Sequence, residues 1–262
     1  MFAEQRRLKI LELIQEEGSA RVRDLARIFS VTEPTIRQDL EKLDGEGLIV
    51  KEHGGAFLKS VPVQVKSFAL QHGDNMDRKS AIADAAAAFV SDGESLILDS
   101  GSTVSEFAKR LVGRHDLTIV TNALNIALLL GAERGMEVLV TGGEFKPPTL
   151  SLTGEKAAGF FQNIRSSKLF LATGGISVNG DLTYPGLSDI PVKRAMIESA
   201  AEVFLLADST KFGRSSLAIL GGLELVDCLI TDSGLSDEDR RLCEKRGIRV
   251  VVAELPQGAA KE

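Results

Sequence analysis

The sequence predicts an α/β protein in two parts: a small helical part ending in a β-hairpin, then a larger part built on a mainly parallel sheet. Three observations carry this. Short amphipathic stretches fill residues 3–43 and run into "LIVKEHGGAF". From about residue 75, seven apolar runs alternate with helical patterns. Between the two, "LKSVPVQVKS" sets Pro62 among polar residues with no helical period. The expected division is residues 1–58, a linker over 59–74, and residues 75–262.

Residues 3–17 put Leu8, Leu11 and Ile14 on one stripe, widened by Ile10 and Leu13, and Gly18 closes the helix. Residues 21–29 repeat the pattern with Val22, Leu25, Ala26 and Phe29. Thr32 starts a third helix as its N-cap, and Pro34 falls in the first turn, where a missing N–H costs little. Ile36, Leu40 and Leu43 form its buried stripe, and Gly45 and Gly47 end it. Two short strands around a Gly-Gly turn follow. Helix, helix, short turn, helix, hairpin is the winged helix-turn-helix order.

The second part reads differently. "KSAIADAAAAFV" is an alanine-rich helix. The runs "ESLILDS", "LTIVTN", "MEVLVTGG", "KLFLATGG", "EVFLLADST", "DCLITDS" and "RVVVAEL" are Val/Ile/Leu-rich and separated by helices. Such runs form parallel strands buried on both faces. Five of them end in small polar clusters: Asp99-Ser100-Gly101, Thr121-Asn122, Thr141-Gly142-Gly143, Thr173-Gly174-Gly175 and Asp208-Ser209-Thr210. Ligands bind beyond the carboxyl ends of strands in open α/β sheets, so these ends suggest one shared polar pocket.

Composition narrows the function classes. The 262 residues suggest one large domain or two ordinary ones, and 44% hydrophobic residues supply a core. No apolar run has membrane-spanning length, and "MFAEQRRLKILELIQEEG" is not read as a secretory signal, because acids interrupt it. Cys228 and Cys243 form no CxxC pair, and His53, His72 and His115 lie far apart. A cytoplasmic protein without a metal site or cofactor is expected. The net charge is −6, and residues 1–60 hold 10 Lys+Arg against 11 Asp+Glu. A nucleic-acid face must therefore come from clustering of charge.

At about 100° per residue, Thr35, Arg37, Gln38 and Lys42 point away from the buried stripe of the third helix. Arg reaches guanine or phosphate, Gln adenine, and Thr phosphate or a thymine methyl. With Thr32 at the helix start and His53, Gly54 and Gly55 in the wing, they are the candidate contacts to double-stranded DNA. Asp39 lies nearer the core edge and is expected to be a structural partner. In "DSGSTVSEFAKRL" a strand ends at Asp99 and a helix begins near Thr103. Its free N–H groups and the hydroxyls of Ser102 and Thr103 suit a phosphate or carboxylate, and Gly101 permits close approach. Lys211, after another strand end, would supply a cation. No P-loop, GxSxG elbow, HExxH or GxGxxG after a strand occurs.

Together "RRLKILELIQEEG", "TEPTIRQDLEKLDGEGLI", "HGGA", "LDSGSTV", "VTNALNIA", "TGGE", "GLTYP", "VKRAMIESA" and "LADSTKFGR" resemble the DeoR family of bacterial transcription regulators, in order and over nearly the whole chain. The resemblance implies a winged helix-turn-helix and an effector domain with the fold of ribose-5-phosphate isomerase that senses phosphorylated sugars. It implies a repressor of sugar catabolism, acting as a homodimer or homotetramer. It carries Thr35, Arg37 and Gln38 onto recognition positions, Ser100–Thr103 onto a phosphate loop, Thr121 and Asn122 onto a second ligand loop, and Lys211 onto a pocket lysine. Gln38 stands where the family often has a second arginine. "GLTYPGLSDIPVKRAM" stands where many members have a glutamate-alanine stretch, with Asp189 the acid at that place and Tyr184 reshaping the pocket. The rival is a sugar-phosphate isomerase-like enzyme. Its paired-aspartate stretch falls near "LATGGIS", which has no acid, leaving Asp99, Asp181 and Asp208. A non-DNA module whose N-terminal part contacts protein is a third reading.

Overall fold

In the computed structural model, which describes residues 3–17, 19–52, 54–58 and 74–255, the stripe expected of the first helix is inner only in part: Ile10 and Ile14 are buried, Leu11 and Leu13 pack against them, and Leu8 is exposed. Contacts divide the chain into Met1–Asp74 and Asn75–Glu262. In the first unit, helix α1 (Ala3–Glu17) buries Ile10 and Ile14. Strand β1 (Ser19–Arg21) leads into α2 (Val22–Phe29), which buries Val22 and Leu25. Helix α3 (Glu33–Gly45) buries Ile36, Leu40 and Leu43, with Thr32 at its N-cap and Pro34 in its first turn. These side chains close on Ile49 and Ala56 from strands β2 (Ile49–Glu52) and β3 (Gly55–Leu58). Each buried Ile or Leu stabilises the unit by roughly 1.5–3 kcal/mol.

The predicted hairpin is present and gains a third strand, in the order β1-β3-β2, all antiparallel. The three residues of "SAR" are too few for their alternation to signal a strand, and their extended form comes from pairing with β3. The helix predicted from residue 21 accordingly starts at Val22. His53 and linker residues 59–73 lie outside the described residues.

In the second unit all seven apolar runs are strands of one sheet. They follow α4 (Met76–Ala87). Strand β4 (Ser95–Leu98), helix α5 (Ser102–Lys109), β5 (Leu117–Thr121), α6 (Leu124–Leu130) and β6 (Met136–Val140) step outward in one direction. A small antiparallel pair, β7 (Glu144–Lys146) and β8 (Ser151–Thr153), and helix α7 (Glu155–Gly159) bring the chain back. Strand β9 (Ser166–Leu171) then lies on the other side of β4. The strands β10 (Gly175–Ile176) and β11 (Asp181–Tyr184) and helix α8 (Asp189–Glu198) precede β12 (Ala200–Leu206). Strand β13 (Ala218–Gly222), strand β14 (Cys228–Asp232), helix α9 (Asp237–Lys245) and strand β15 (Arg249–Ala253) complete the unit.

The sheet order is β15-β14-β12-β9-β4-β5-β6, with every neighbouring pair parallel. Leu96 and Leu98 pack on one face with Phe107, Phe170 and Phe204, and Ile97 packs on the other with Leu169, Leu171 and Met196. That two-sided burial is why the strands read as continuous apolar runs. The order reverses between β4 and β9, which makes their carboxyl ends the topological switch point. Strands β10, β11 and β13 form a separate antiparallel sheet. Among the described residues no helix is long and apolar enough to cross a membrane, and no group of three or more His, Cys, Asp or Glu side chains could hold a metal ion.

Candidate functional site

On α3 the buried and exposed faces separate as the periodicity requires. Thr32, Arg37, Gln38 and Lys42 are exposed and Thr35 is half-exposed. The Thr32 and Thr35 hydroxyls lie 2.9 Å apart, so the N-cap side chain bonds a neighbouring hydroxyl rather than a backbone N–H. Arg37 donates to Glu33 Oε2 at 2.5 Å, one helical turn back. Asp39 is buried at 3% exposure. Its Oδ2 accepts from Arg6 Nε at 2.5 Å, and Arg7 stands 3.5 Å from its Oδ1. It ties α1 to α3, the structural role expected of it.

In the wing, Gly54 is exposed and takes a left-handed φ of +88°. Gly55 is different. It pairs with Arg21 of β1, and a Cβ there would stand 2.6 Å from the Ala20 carbonyl oxygen. Gly55 is buried, so its lack of a side chain serves the close approach of β1. Among the described residues of the turn, Gly54 is the one exposed.

In the second unit the switch point is built on Asp99, fully buried just past β4. Its backbone N–H donates to the Phe170 carbonyl at 3.1 Å. Its Oδ2 accepts from Ala172 N–H at 3.0 Å and its Oδ1 from Ser100 N–H at 2.6 Å. Lys193 of α8, 3% exposed, donates to the same Oδ1 and stands 3.4 Å from Ser100 Oγ. Tyr184 donates from its hydroxyl to the Ala172 carbonyl at 2.7 Å, and the Lys193 ammonium lies 5.4 Å from its ring centroid. Burial pushes the Asp99 carboxyl up, while the Lys193 charge and the donated hydrogen bonds pull it back. Burial, then the charges of Asp99 and Asp189, holds the Tyr184 hydroxyl well above its ordinary value, so it stays a donor.

Gly101 follows at φ +140°, where a Cβ would stand 2.8 Å from Ala172 Cβ. Helix α5 then begins, with Ser102 half-buried and Thr103 buried in its first turn. Neither hydroxyl has a hydrogen-bond partner among the described residues. Thr121, at the end of β5, spends its hydroxyl on structure: it donates to the Leu98 carbonyl at 2.7 Å and accepts from Ala123 N–H at 3.0 Å. Asn122 donates to the Leu152 carbonyl at 3.0 Å and leaves its buried Oδ1 without a partner.

The five strand ends do not all meet. Those of β4 and β9 come together at Asp99 and Ala172, and β5 joins them through Thr121. That of β6 is tied to β5 by the Thr141 N–H, which donates to the Thr121 carbonyl at 3.1 Å, and that of β12 holds the start of α4 instead, together with Asp232 at the end of β14. Arg78 donates to Asp232 Oδ2 at 3.0 Å and to the Ser209 hydroxyl, and Asn75 bonds Thr210 at 3.2 Å. Lys211 is half-buried in the short turn after β12, with no bond to the Asp99 cluster. Asp189 pairs with Lys146. The lysine at the switch point is Lys193, which sequence reasoning missed. Its signal was present: Asp189, Val192, Lys193 and Met196 are the buried i, i+3, i+4, i+7 stripe of α8, and a charge on such a stripe needs a partner.

Residues 6–61 match the DeoR-like helix-turn-helix domain and residues 74–233 the DeoR C terminal sensor domain. The HTH-type transcriptional regulator GlpR of Haloferax volcanii is 33% identical over 251 residues, which cover 96% of this chain and 98% of that protein. The putative aga operon transcriptional repressor of Escherichia coli O157:H7 is 30% identical over 95% of this chain and 93% of its own. The glycerol-3-phosphate regulon repressor of Escherichia coli K12 is 32% identical over 87% and 90%. Among solved structures, ribose 5-phosphate isomerase A from Methanocaldococcus jannaschii aligns with 53% of this chain and 55% of its own at 16% identity and a TM-score of 0.41. With both domain families matched in order and relatives aligned over nearly its full length, the chain belongs to the DeoR family of DNA-binding transcription regulators.

Proposed function

We propose that this chain is a cytoplasmic repressor of a carbohydrate-catabolism operon, released from its operator by a phosphorylated sugar or related anion. The observation that carries the DNA half is the division of α3. Thr35, Arg37, Gln38 and Lys42 face outward while Asp39 locks the helix from within. Such a helix presents its N-terminal side chains to the major groove, and Gly54 in the wing lies on the backbone. The unpartnered hydroxyls of Ser102 and Thr103 at the first turn of α5 support an anion site in the second unit. The relatives named as repressors of the aga operon and the glycerol-3-phosphate regulon support the sense of regulation. A homodimer or homotetramer fits symmetric half-sites, with residues 59–74 joining the units. The effector acts by binding one arrangement of sensor units better than the other, and the shift is no larger than that differential affinity.

The test begins by selecting an operator from random duplex with the purified chain. Arg37→Ala is expected to cost about 1–3 kcal/mol of operator affinity at matched salt, read by fluorescence anisotropy. Unchanged affinity removes α3 as the reading helix. The operator complex is then challenged with a panel of sugar phosphates. Thr103→Val is expected to leave operator affinity alone and to raise the concentration of the releasing compound by about 10- to 100-fold, the loss of one hydrogen bond to a charged group. An unchanged release midpoint moves the anion site away from α5.

A further inference from the structure

Asp99 and Lys193 are a buried ion pair beside the loop assigned to an anion. The placement creates a conflict. A phosphate at residues 100–103 would arrive next to the full negative charge of Asp99, in a setting too dry to screen it. Lys193 neutralises that charge. Its ammonium has three N–H bonds; one goes to Asp99 Oδ1, a second reaches Ser100 Oγ at 3.4 Å, and no third acceptor stands among the described residues. A buried pair of this kind is weak support for stability, since apolar side chains of similar volume often serve as well. The Tyr184 ring beside the ammonium adds attraction without a hydrogen bond.

We propose that Asp99 is a built-in stand-in for the effector's anionic group: it holds the Lys193 ammonium in the empty sensor and yields a share of it when a phosphate-bearing ligand enters the loop at 100–103. The proposal rests on the assignment of that loop to the effector. Lys193 is then the cation of the site, and Asp99 sets how tightly the ligand must bind to win it. The competition has a mechanical consequence. The Asp99–Lys193 bond ties the end of β4 to α8, so a ligand that loosens it changes how α8 is held. Inorganic phosphate and a sugar phosphate should both draw on Lys193.

The experiment is calorimetric titration of the full-length chain and its variants with inorganic phosphate and, separately, with the sugar phosphate that releases the operator. Asp99→Asn keeps the shape and an acceptor for one of the two backbone N–H groups, that of Ala172 or that of Ser100, and removes the competing charge. It is expected to tighten phosphate binding by on the order of tenfold or more, and Lys193→Gln to weaken it by a similar factor. In the Lys193→Gln background, Asp99→Asn should gain much less. An equal gain in both backgrounds would mean that Asp99 merely repels anions, and would overturn the shared-lysine proposal. No gain in Asp99→Asn would overturn it too. If Thr103→Val abolishes binding while Asp99→Asn changes nothing, the loop assignment stands and only the counter-ion role falls. If Thr103→Val binds as well as wild type, both fall. Should either charge variant fail to fold, wild-type chain with isotope-labelled lysines answers the question. The Lys193 side-chain resonance, identified by its loss in Lys193→Arg, should move on addition of phosphate, and in Thr103→Val should move only at about 10- to 100-fold higher phosphate. A resonance that does not move in the wild-type chain overturns the proposal.

Discussion

Asp39→Ala is expected to destabilise the N-terminal unit by about 3–5 kcal/mol, because it leaves the Arg6 guanidinium buried without its counter-charge. Arg6 is 8% exposed and reaches Asp39 Oδ2 at 2.5 Å, and Arg7 approaches the other oxygen at 3.5 Å, so one carboxylate answers two cations of α1. A unit of this size has little reserve: stabilities of whole domains are about 5–15 kcal/mol, and small ones sit at the low end. The shift in melting should exceed about 10 °C, since each kcal/mol is worth roughly 4–8 °C in a domain of 60–100 residues. Hydrogen exchange should accelerate in α1 and α3 while the β4, β9 and β12 strands of the other unit keep their protection. Operator binding should be lost with the fold of α3, whereas Arg37→Ala should lose affinity with melting unchanged. That contrast separates a residue that builds the reading helix from one that reads. Asp39→Asn, which keeps an acceptor for Arg6, should fall between. Melting of Asp39→Ala within about a degree of wild type would show that the pair is not needed to hold α1 against α3.

How much of this could be read from the sequence depends on whether a residue's partner is local. The seven parallel strands were legible because burial on both faces leaves an unbroken apolar run, and each was one. The exposed face of α3 was legible because 3.6-residue periodicity separates Ile36, Leu40 and Leu43 from Arg37 and Gln38 within one helix. Asp39 was placed at the core edge by the same geometry, though its partners Arg6 and Arg7 lie 33 and 32 positions away. Features made by distant pairing were not legible. Strand β1 is extended because β3 pairs with it, and nothing in "SAR" announces that. Gly55 looked like a wing contact until Ala20 was found against it. Thr121 looked like a ligand donor, but the Leu98 carbonyl takes its proton. The polar end of β12 looked like pocket lining, and Arg78 and Asn75 use its Ser209 and Thr210 to seat α4. Strand ends can be counted in a sequence, but which ends meet is set by strand order. The reversal between β4 and β9 is what brought Lys193, rather than Lys211, to Asp99.

Gly101→Ala tests whether the switch point is the ligand site, and it is expected to abolish effector release while leaving operator affinity intact. Two costs fall on this residue. Its φ of +140° with ψ of 157° lies in a region that side-chain-bearing residues rarely enter, at a cost of about 1–3 kcal/mol. Its new methyl would also stand 2.8 Å from Ala172 Cβ, where neither partner is a flexible side chain, adding about 1–3 kcal/mol of overpacking. Ala172 is the residue whose N–H holds Asp99 and whose carbonyl holds the Tyr184 hydroxyl. Pressure on it therefore displaces Asp99 and Tyr184 together, and Lys193 with Asp99. Gly93→Ala is the control. Gly93 also has a left-handed φ, +84°, but a Cβ there meets nothing within 4 Å, so it should show the backbone cost alone and keep its response. Melting of the C-terminal unit and operator release by the sugar phosphate are read on both variants. If Gly101→Ala melts lower than Gly93→Ala and no longer releases DNA, the ligand lies against the β4–β9 junction. If it melts lower yet releases DNA at the wild-type concentration, the junction carries stability only, and the effector must bind at other strand ends, with the turn bearing Lys211 the next place to substitute.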